Sequence, residues 1–176
     1  MNRMSIARTL NALMVIVLMA ILSSAYYQQY FKHELPCPLC ILQRLGMIGV
    51  ATGALMNLRF GIQMRHYGVS LLSAFFGGTV ALRQISLHVC PNFPVFGIPV
   101  FGMSLYTWSF VAFCSAALAI IVMLFLYSAK DNLKVPMNWL AKSAFLLVFV
   151  LTLLNFITTF DECGLGPCQD VPWPQP

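Results

Sequence analysis

Five apolar runs divide the chain, at about 6–27, 41–58, 67–87, 104–127 and 139–160. Each is near the ~20 residues with which a helix crosses the hydrocarbon core of a bilayer. Polar residues gather between them in short connectors, which make consecutive helices antiparallel neighbours in one bundle. The pattern therefore predicts an all-α integral membrane protein, a four-helix core with a fifth transmembrane helix. Residues 1–176 read as a single membrane domain, with 161–176 as a polar tail that carries Cys163 and Cys168.

Composition supports this reading. With 60% hydrophobic residues, 9% charged residues and a mean hydropathy of +0.82, the chain lacks the roughly one quarter of charged residues with which a soluble domain covers its surface. A net charge of +5 would suggest nucleic acid in a soluble chain, but here the ten Lys and Arg stand in ones and twos between apolar runs. They serve better as topology markers, and no nucleic-acid partner is expected. A cytoplasmic N-terminus puts Arg3, Arg8, Arg59, Arg65, Lys130, Lys134 and Lys142 inside and leaves Lys32, Arg44 and Arg83 outside. Glu34, Asp161, Glu162 and Asp170 then fall outside as well, and five spans place the C-terminus there. The first run, with Arg3 and Arg8 at its start and the small residues Ser23-Ser24-Ala25 near its end, has features of a cleavable signal. Its length and the aromatic group Tyr26, Tyr27 and Tyr30 favour a retained anchor with a belt at the membrane surface.

On this topology Cys37, Cys40, Cys90, Cys163 and Cys168 lie in or beside the outer segments, and Cys114 lies within the fourth run. Disulfides persist in oxidising compartments such as the bacterial periplasm, so this distribution reads as thiol–disulfide chemistry. Structural staples are the competing reading, although a bundle already held by lipid gains little from stapling small loops. Cys114, among apolar neighbours, is expected to be a buried small hydrophobe without a role.

The most specific stretch is Pro36-Cys37-Pro38-Leu39-Cys40-Ile41-Leu42-Gln43-Arg44. Cys37 precedes the second helix and Cys40 falls in its first turn, where the macrodipole and unpaired N–H groups favour a thiolate. Pro38 suits an early helical position because its missing N–H costs nothing there. A thiolate is both the attacking and the leaving species in disulfide exchange. Arg44, four residues past Cys40, shares its face about one turn deeper in the membrane. A cation at that depth is a functional candidate; a snorkelling arginine that marks the interface is the alternative. Gly46, Gly49 and Gly53, with Gly77 and Gly78, are read as helix-packing positions.

The block Cys37-Pro38-Leu39-Cys40 with Gln43-Arg44, placed after one span and at the mouth of the next, resembles the DsbB family of membrane disulfide oxidases. The likeness continues through Leu82 to His88 and into Gly102 to Trp108, about residues 8–128 in all. The resemblance implies a protein of the bacterial inner membrane that oxidises a DsbA-like periplasmic thioredoxin-fold partner. It also implies that the electrons pass through cysteine pairs to ubiquinone or menaquinone of the membrane quinone pool. On that likeness Cys37 and Cys40 form the quinone-proximal pair, with Arg44 on the quinone oxygen and the Cys40 thiolate beside the ring. A fixed cation there would stabilise the negative charge that reduction places on the oxygens. Gln84 and His88, four apart near the outer end of the third run, are further candidate donors to the quinone. For His88 an ordinary interfacial role is the alternative.

The chain also departs from that family, which usually has four helices and a second cysteine pair in the loop between the third and fourth. Here that loop, about 90–103, is short and contains one cysteine, Cys90. The fifth run instead ends in Asp161-Glu162-Cys163-Gly164-Leu165-Gly166-Pro167-Cys168. Cys163 and Cys168 are therefore candidates for the partner-facing pair, the intervening Gly and Pro allowing a turn that brings them within bonding distance. Alternatively they form a structural clip and Cys90 carries the exchange. Two other functions compete with the oxidase: a zinc site from Cys37, Cys40, Cys90 and His33 or His88, which lacks a second tight ligand pair, and a scaffold with non-catalytic disulfides. No metal is expected.

Overall fold

The computed structural model describes residues 3–32, 37–88, 100–127 and 139–166. They form five α-helices: α1 (Arg3–Lys32), α2 (Pro38–Phe60), α3 (Met64–His88), α4 (Leu105–Leu126) and α5 (Trp139–Cys163). Each contains a stretch long and apolar enough to cross a membrane. The protein is a helical, multi-pass membrane bundle, as the apolar runs predict. Among the described residues the one extended pairing is an antiparallel bridge between Val100 and Met103, at the turn that leads into α4.

The helix limits have local causes. The Cys37 backbone is extended and Pro38 stands in the first turn of α2, while Gly61, at φ 90°, ends that helix in a conformation that favours glycine. The α2–α3 connection is closed by the Gln63 N–H, which donates to Asn57 Oδ1 at 3.0 Å. At its C-terminal end α1 runs to Lys32, five residues past the expected limit at 27. The stretch contains neither Gly nor Pro, and Tyr27 and Phe31 stack one turn apart with ring centroids 4.8 Å apart.

Packing is organised around α2. In its most apolar window 61% of the residues are buried, against 22–39% in the other four helices, so α2 is the interior helix and the rest face lipid on one side. α3 packs closely on α2, α4 on α3, and α1 on α2. The α2–α3 approach rests on small residues, which let membrane helices pack backbone to backbone. A Cβ on Gly46 would stand 2.9 Å from the Gly77 Cα, and one on Gly53 would stand 2.9 Å from the Ser70 nitrogen. The Phe113 ring of α4 covers the face of Gly77.

One expectation from the short connectors fails. α5 packs against α2 and α1 rather than against α4, its neighbour in sequence. Two buried polar residues of α5, Asn155 and Thr158, give a physical reason: polar side chains at membrane depth are costly in lipid and turn inward. Cys114 also departs from expectation. Its thiol is free and exposed on α4, because that helix buries Phe113, Ala116, Ile120 and Met123 instead.

Polar side chains also meet at the end of the bundle where α2 joins α3. Asn11 Nδ2 donates to the Ala7 carbonyl at 2.8 Å and to the Tyr67 hydroxyl at 2.9 Å. Asn57 Nδ2 donates to Asn11 Oδ1 at 3.2 Å, and His66 Nδ1 stands 3.2 Å from Asn57 Oδ1. All four side chains are buried, so this network ties α1, α2 and α3 together at the end opposite Cys37.

Candidate redox site

At the mouth of α2 the sequence builds a small sulfur site. Cys37 is the N-cap of the helix, and the Cys40 N–H, which donates to the Cys37 carbonyl at 2.8 Å, is shared with Cys37 Sγ at 3.2 Å. The two cysteines are joined in a disulfide with Cα atoms 5.1 Å apart, within the usual range for such a bond. Cys37 is 7% exposed and Cys40 is half-buried, so access to the pair is from the Cys40 side.

From α3, Gln84 reaches this disulfide. Its side chain is 1% exposed, with Nε2 3.3 Å from Cys37 Sγ and 3.7 Å from Cys40 Sγ. Its Oε1 accepts a 2.6 Å hydrogen bond from Gln43 Nε2 of α2. This orientation follows from the chemistry of the pair: a disulfide sulfur carries no proton and can only accept, so the amide turns its N–H face to the sulfurs and its oxygen to Gln43. For the same reason the 4.0 Å approach of Cys40 Sγ to Gln84 Oε1 is a van der Waals contact.

Arg44 lies one turn further along α2 and is 8% exposed. Its guanidinium turns to α1, where Nη1 donates to Gln29 Oε1 at 2.6 Å and Cζ stands 4.7 Å from the centroid of the Tyr26 ring. Both partners are neutral, so they orient the cation without cancelling its charge. Tyr26, expected in a surface aromatic belt, is buried instead. Its hydroxyl points to α5, 3.2 Å from the Leu151 carbonyl and 3.3 Å from Asn155 Oδ1. Arg44 is thus held by α1, and α1 in turn by α5.

Gln84 and His88 share α3 but diverge. Gln84 points to α2, whereas the His88 ring stacks on Tyr106 of α4 with centroids 4.8 Å apart. The two are joined through the backbone, since His88 Nδ1 stands 2.7 Å from the Gln84 carbonyl; a carbonyl only accepts, which places a proton on Nδ1. Arg83 is exposed.

Cys163, the last residue of α5, is disulfide-bonded. Gly164, at φ 58°, then turns the chain out of the helix, its N–H on the Phe160 carbonyl at 2.8 Å. Cys90, Cys168 and His33 lie outside the described residues. Gln43, Gln29, Tyr26 and Asn155 were not singled out as site residues from the sequence. A signal existed for two of them: Gln43 and Asn155 are uncharged polar residues inside apolar runs, where each needs an internal partner.

The model of the family described as "Disulfide bond formation protein DsbB" matches residues 7–97. A disulfide bond formation protein B from Burkholderia pseudomallei (strain K96243) is 31% identical over 150 residues, covering 66% of this chain and 89% of the relative. Another from Paracidovorax citrulli is 33% identical over 152 residues, covering 66% and 86%. In both, the alignment is longer than the part of this chain it covers, so the relatives carry residues here that this chain lacks. No solved structure matches. With a disulfide at the head of its central helix and the family match running through that helix and the next, the chain belongs to the DsbB family of disulfide bond formation proteins.

Proposed function

We propose that this oxidoreductase reoxidises a soluble periplasmic dithiol of the DsbA-like thioredoxin fold and delivers the electrons to a membrane quinone. The observation that carries the reading is the placement of the Cys37–Cys40 disulfide one helical turn from a buried, neutrally held arginine. In the exchange, a partner thiolate attacks a sulfur of the protein, the sulfur–sulfur bond breaks, and the electron pair leaves on the other sulfur; a second exchange releases the partner disulfide. The tail pair Cys163–Cys168 takes the partner-facing role, supported by the position of Cys163 at the end of the helix that packs on α1 and α2. Cys90 joins transiently. The distribution of Lys and Arg supports a multi-pass inner-membrane protein with a cytoplasmic N-terminus and a periplasmic C-terminus.

The donor set suits ubiquinone or menaquinone. One Arg44 nitrogen is engaged with Gln29, and a guanidinium has five N–H donors in all, which leaves others for a carbonyl oxygen. A bound quinone supplies a two-electron, two-proton acceptor. Arg44 would hold positive charge beside such an acceptor, where reduction develops negative charge, and Gln84 and His88 line the same end of α3. Tyr26 and Gln29 fix the guanidinium so that little reorganisation accompanies the reaction.

The test is steady-state turnover of purified protein with a reduced thioredoxin-fold dithiol and a short-chain quinone, followed by quinone absorbance. Turnover in the wild type that disappears in Cys40→Ala is the expected result. A Cys40→Ala variant as active as the wild type overturns the proposal.

A further inference from the structure

Gln84 has a more direct place in the chemistry than that of a quinone ligand. Two N–H groups approach the Cys37 sulfur: the Gln84 amide at 3.3 Å, and the Cys40 backbone N–H at 3.2 Å, which it shares with the Cys37 carbonyl at 2.8 Å. Both come from rigid elements. The Cys40 N–H belongs to the first turn of α2 and carries the positive end of the helix dipole. The Gln84 amide is buried, 1% exposed, and its orientation is fixed by the 2.6 Å bond from Gln43. A disulfide sulfur is a weak acceptor, so two well-placed donors gain little from the oxidised pair. A thiolate in the same place is a strong acceptor, and hydrogen bonds to charged groups are roughly twice as strong as neutral ones. The site is therefore complementary to the reduced, ionised state of Cys37.

We propose that Gln84, oriented by Gln43, is the donor that holds the Cys37 sulfur as a thiolate when the Cys37–Cys40 pair is opened. The inference rests on the redox role of that pair. On reduction by a soluble dithiol the sulfur–sulfur bond breaks and its electron pair stays on the protein as cysteine thiolate, while the dithiol becomes the disulfide. Stabilising that thiolate makes the pair easier to reduce, and so a better acceptor of electrons from the soluble dithiol. Gln43 does not touch the sulfurs; it is a positioning residue that keeps the Gln84 oxygen turned away from them.

Other charged and titratable groups stand at this end of the bundle. Arg44 is turned to Tyr26 and Gln29 of α1, and His88 is stacked on Tyr106 of α4. Arg83 and Asp161 are exposed on α3 and α5. All are retained in every variant below, so their influence on Cys37 is common to each comparison.

The experiment is the pH dependence of Cys37 alkylation by iodoacetamide, read peptide by peptide by mass spectrometry in full-length Cys40→Ser protein. Gln84→Met, which keeps length and removes the N–H, is expected to move the midpoint up by about one pH unit, roughly tenfold in the thiolate–thiol equilibrium. Gln84→Glu is expected to move it at least as far, and Gln43→Met by a smaller amount in the same direction. An unchanged midpoint in both Gln84 variants overturns the inference; if Gln84→Met does not fold, Gln84→Glu and Gln43→Met decide it by the same criterion. Reduction of the wild-type Cys37–Cys40 pair in dithiol buffers is measured in parallel. A pair that never reduces refutes the redox role, whereas a reducible pair with unshifted variants refutes the role of Gln84 alone.

Discussion

The Arg44 guanidinium carbon lies 4.7 Å from the centroid of the Tyr26 ring, so a cation carried by the second helix is oriented by the first. The Tyr26 hydroxyl reaches the Leu151 carbonyl and Asn155 on the fifth helix. The fifth helix is thereby coupled to the arginine through Tyr26.

Tyr26→Leu removes the ring, and with it a cation–π contact worth about 2 kcal/mol when desolvated. We expect the KM for a short-chain quinone to rise roughly thirtyfold, in line with that energy. Tyr26→Phe keeps the ring and loses the hydroxyl, which bonds α5 and also Arg44, a loss of about 1 kcal/mol of stability, so its KM should rise much less than that of Tyr26→Leu. The pair of variants, read by steady-state kinetics and thermal unfolding in detergent, separates the ring from the hydroxyl.

Arg44→Gln removes the charge while keeping polar length. Loss of a preorganised donor to a developing negative charge costs about 100-fold or more in rate, and quinone reduction is expected to fall to that extent. Reduction of the Cys37–Cys40 disulfide by a small dithiol, which needs no quinone, should change much less than quinone reduction does, since Arg44 faces α1 rather than the sulfurs. Quench-flow alkylation distinguishes the two steps. Arg44→Lys is expected to recover only part of the rate, because a lysine lacks the planar fork that serves Gln29 and an acceptor together.

Gly77→Ala and Gly78→Ala are neighbouring changes with opposite expectations. A Cβ on Gly77 collides with the Phe113 ring, whereas one on Gly78 finds only the Phe113 Cβ at 3.6 Å, an ordinary contact. Overpacking of a close interface costs about 1–3 kcal/mol, so Gly77→Ala should lower the detergent-unfolding midpoint clearly and Gly78→Ala hardly at all. Phe113→Leu added to Gly77→Ala should restore part of the loss.

Asn11 and Asn57 are bonded to each other at the far end of the bundle, so their substitutions should not be additive. Asn11→Leu or Asn57→Leu alone strands a buried partner, at a cost of about 1–3 kcal/mol. The double variant should be more stable than the sum of the two losses predicts, by about 1 kcal/mol. Denaturant unfolding of the three variants provides the cycle.

Much of this was legible in the chain. Five apolar runs gave five helices, and a cysteine followed by proline at the head of the second run gave the N-cap, because both signals are local. Longer-range features were less accessible. The docking of α5 on α1 and α2 depends on which helix offers Asn155 and Tyr26 a partner, and connector length says nothing of that. The sequence reads Gln84 as a candidate quinone donor near the end of the third run, but that its amide turns to the sulfurs depends on the close α2–α3 approach at Gly46 and Gly77. Cys114 was misplaced because every face of the fourth run is apolar, so the sequence cannot distinguish its buried side from its lipid-facing side.

The most direct test of the account is a single-turnover experiment without a soluble partner. Protein reduced under anaerobic conditions is freed of reductant and mixed with a short-chain quinone, while the Cys37–Cys40 pair is followed by quenched alkylation. The account predicts that the dithiol is converted to the disulfide as quinone absorbance falls, one quinone for each pair in this two-electron exchange, and that Cys40→Ala abolishes the coupled loss. A Cys37–Cys40 pair that stays reduced while quinone is consumed, or that stays reduced beside unchanged quinone, would contradict it.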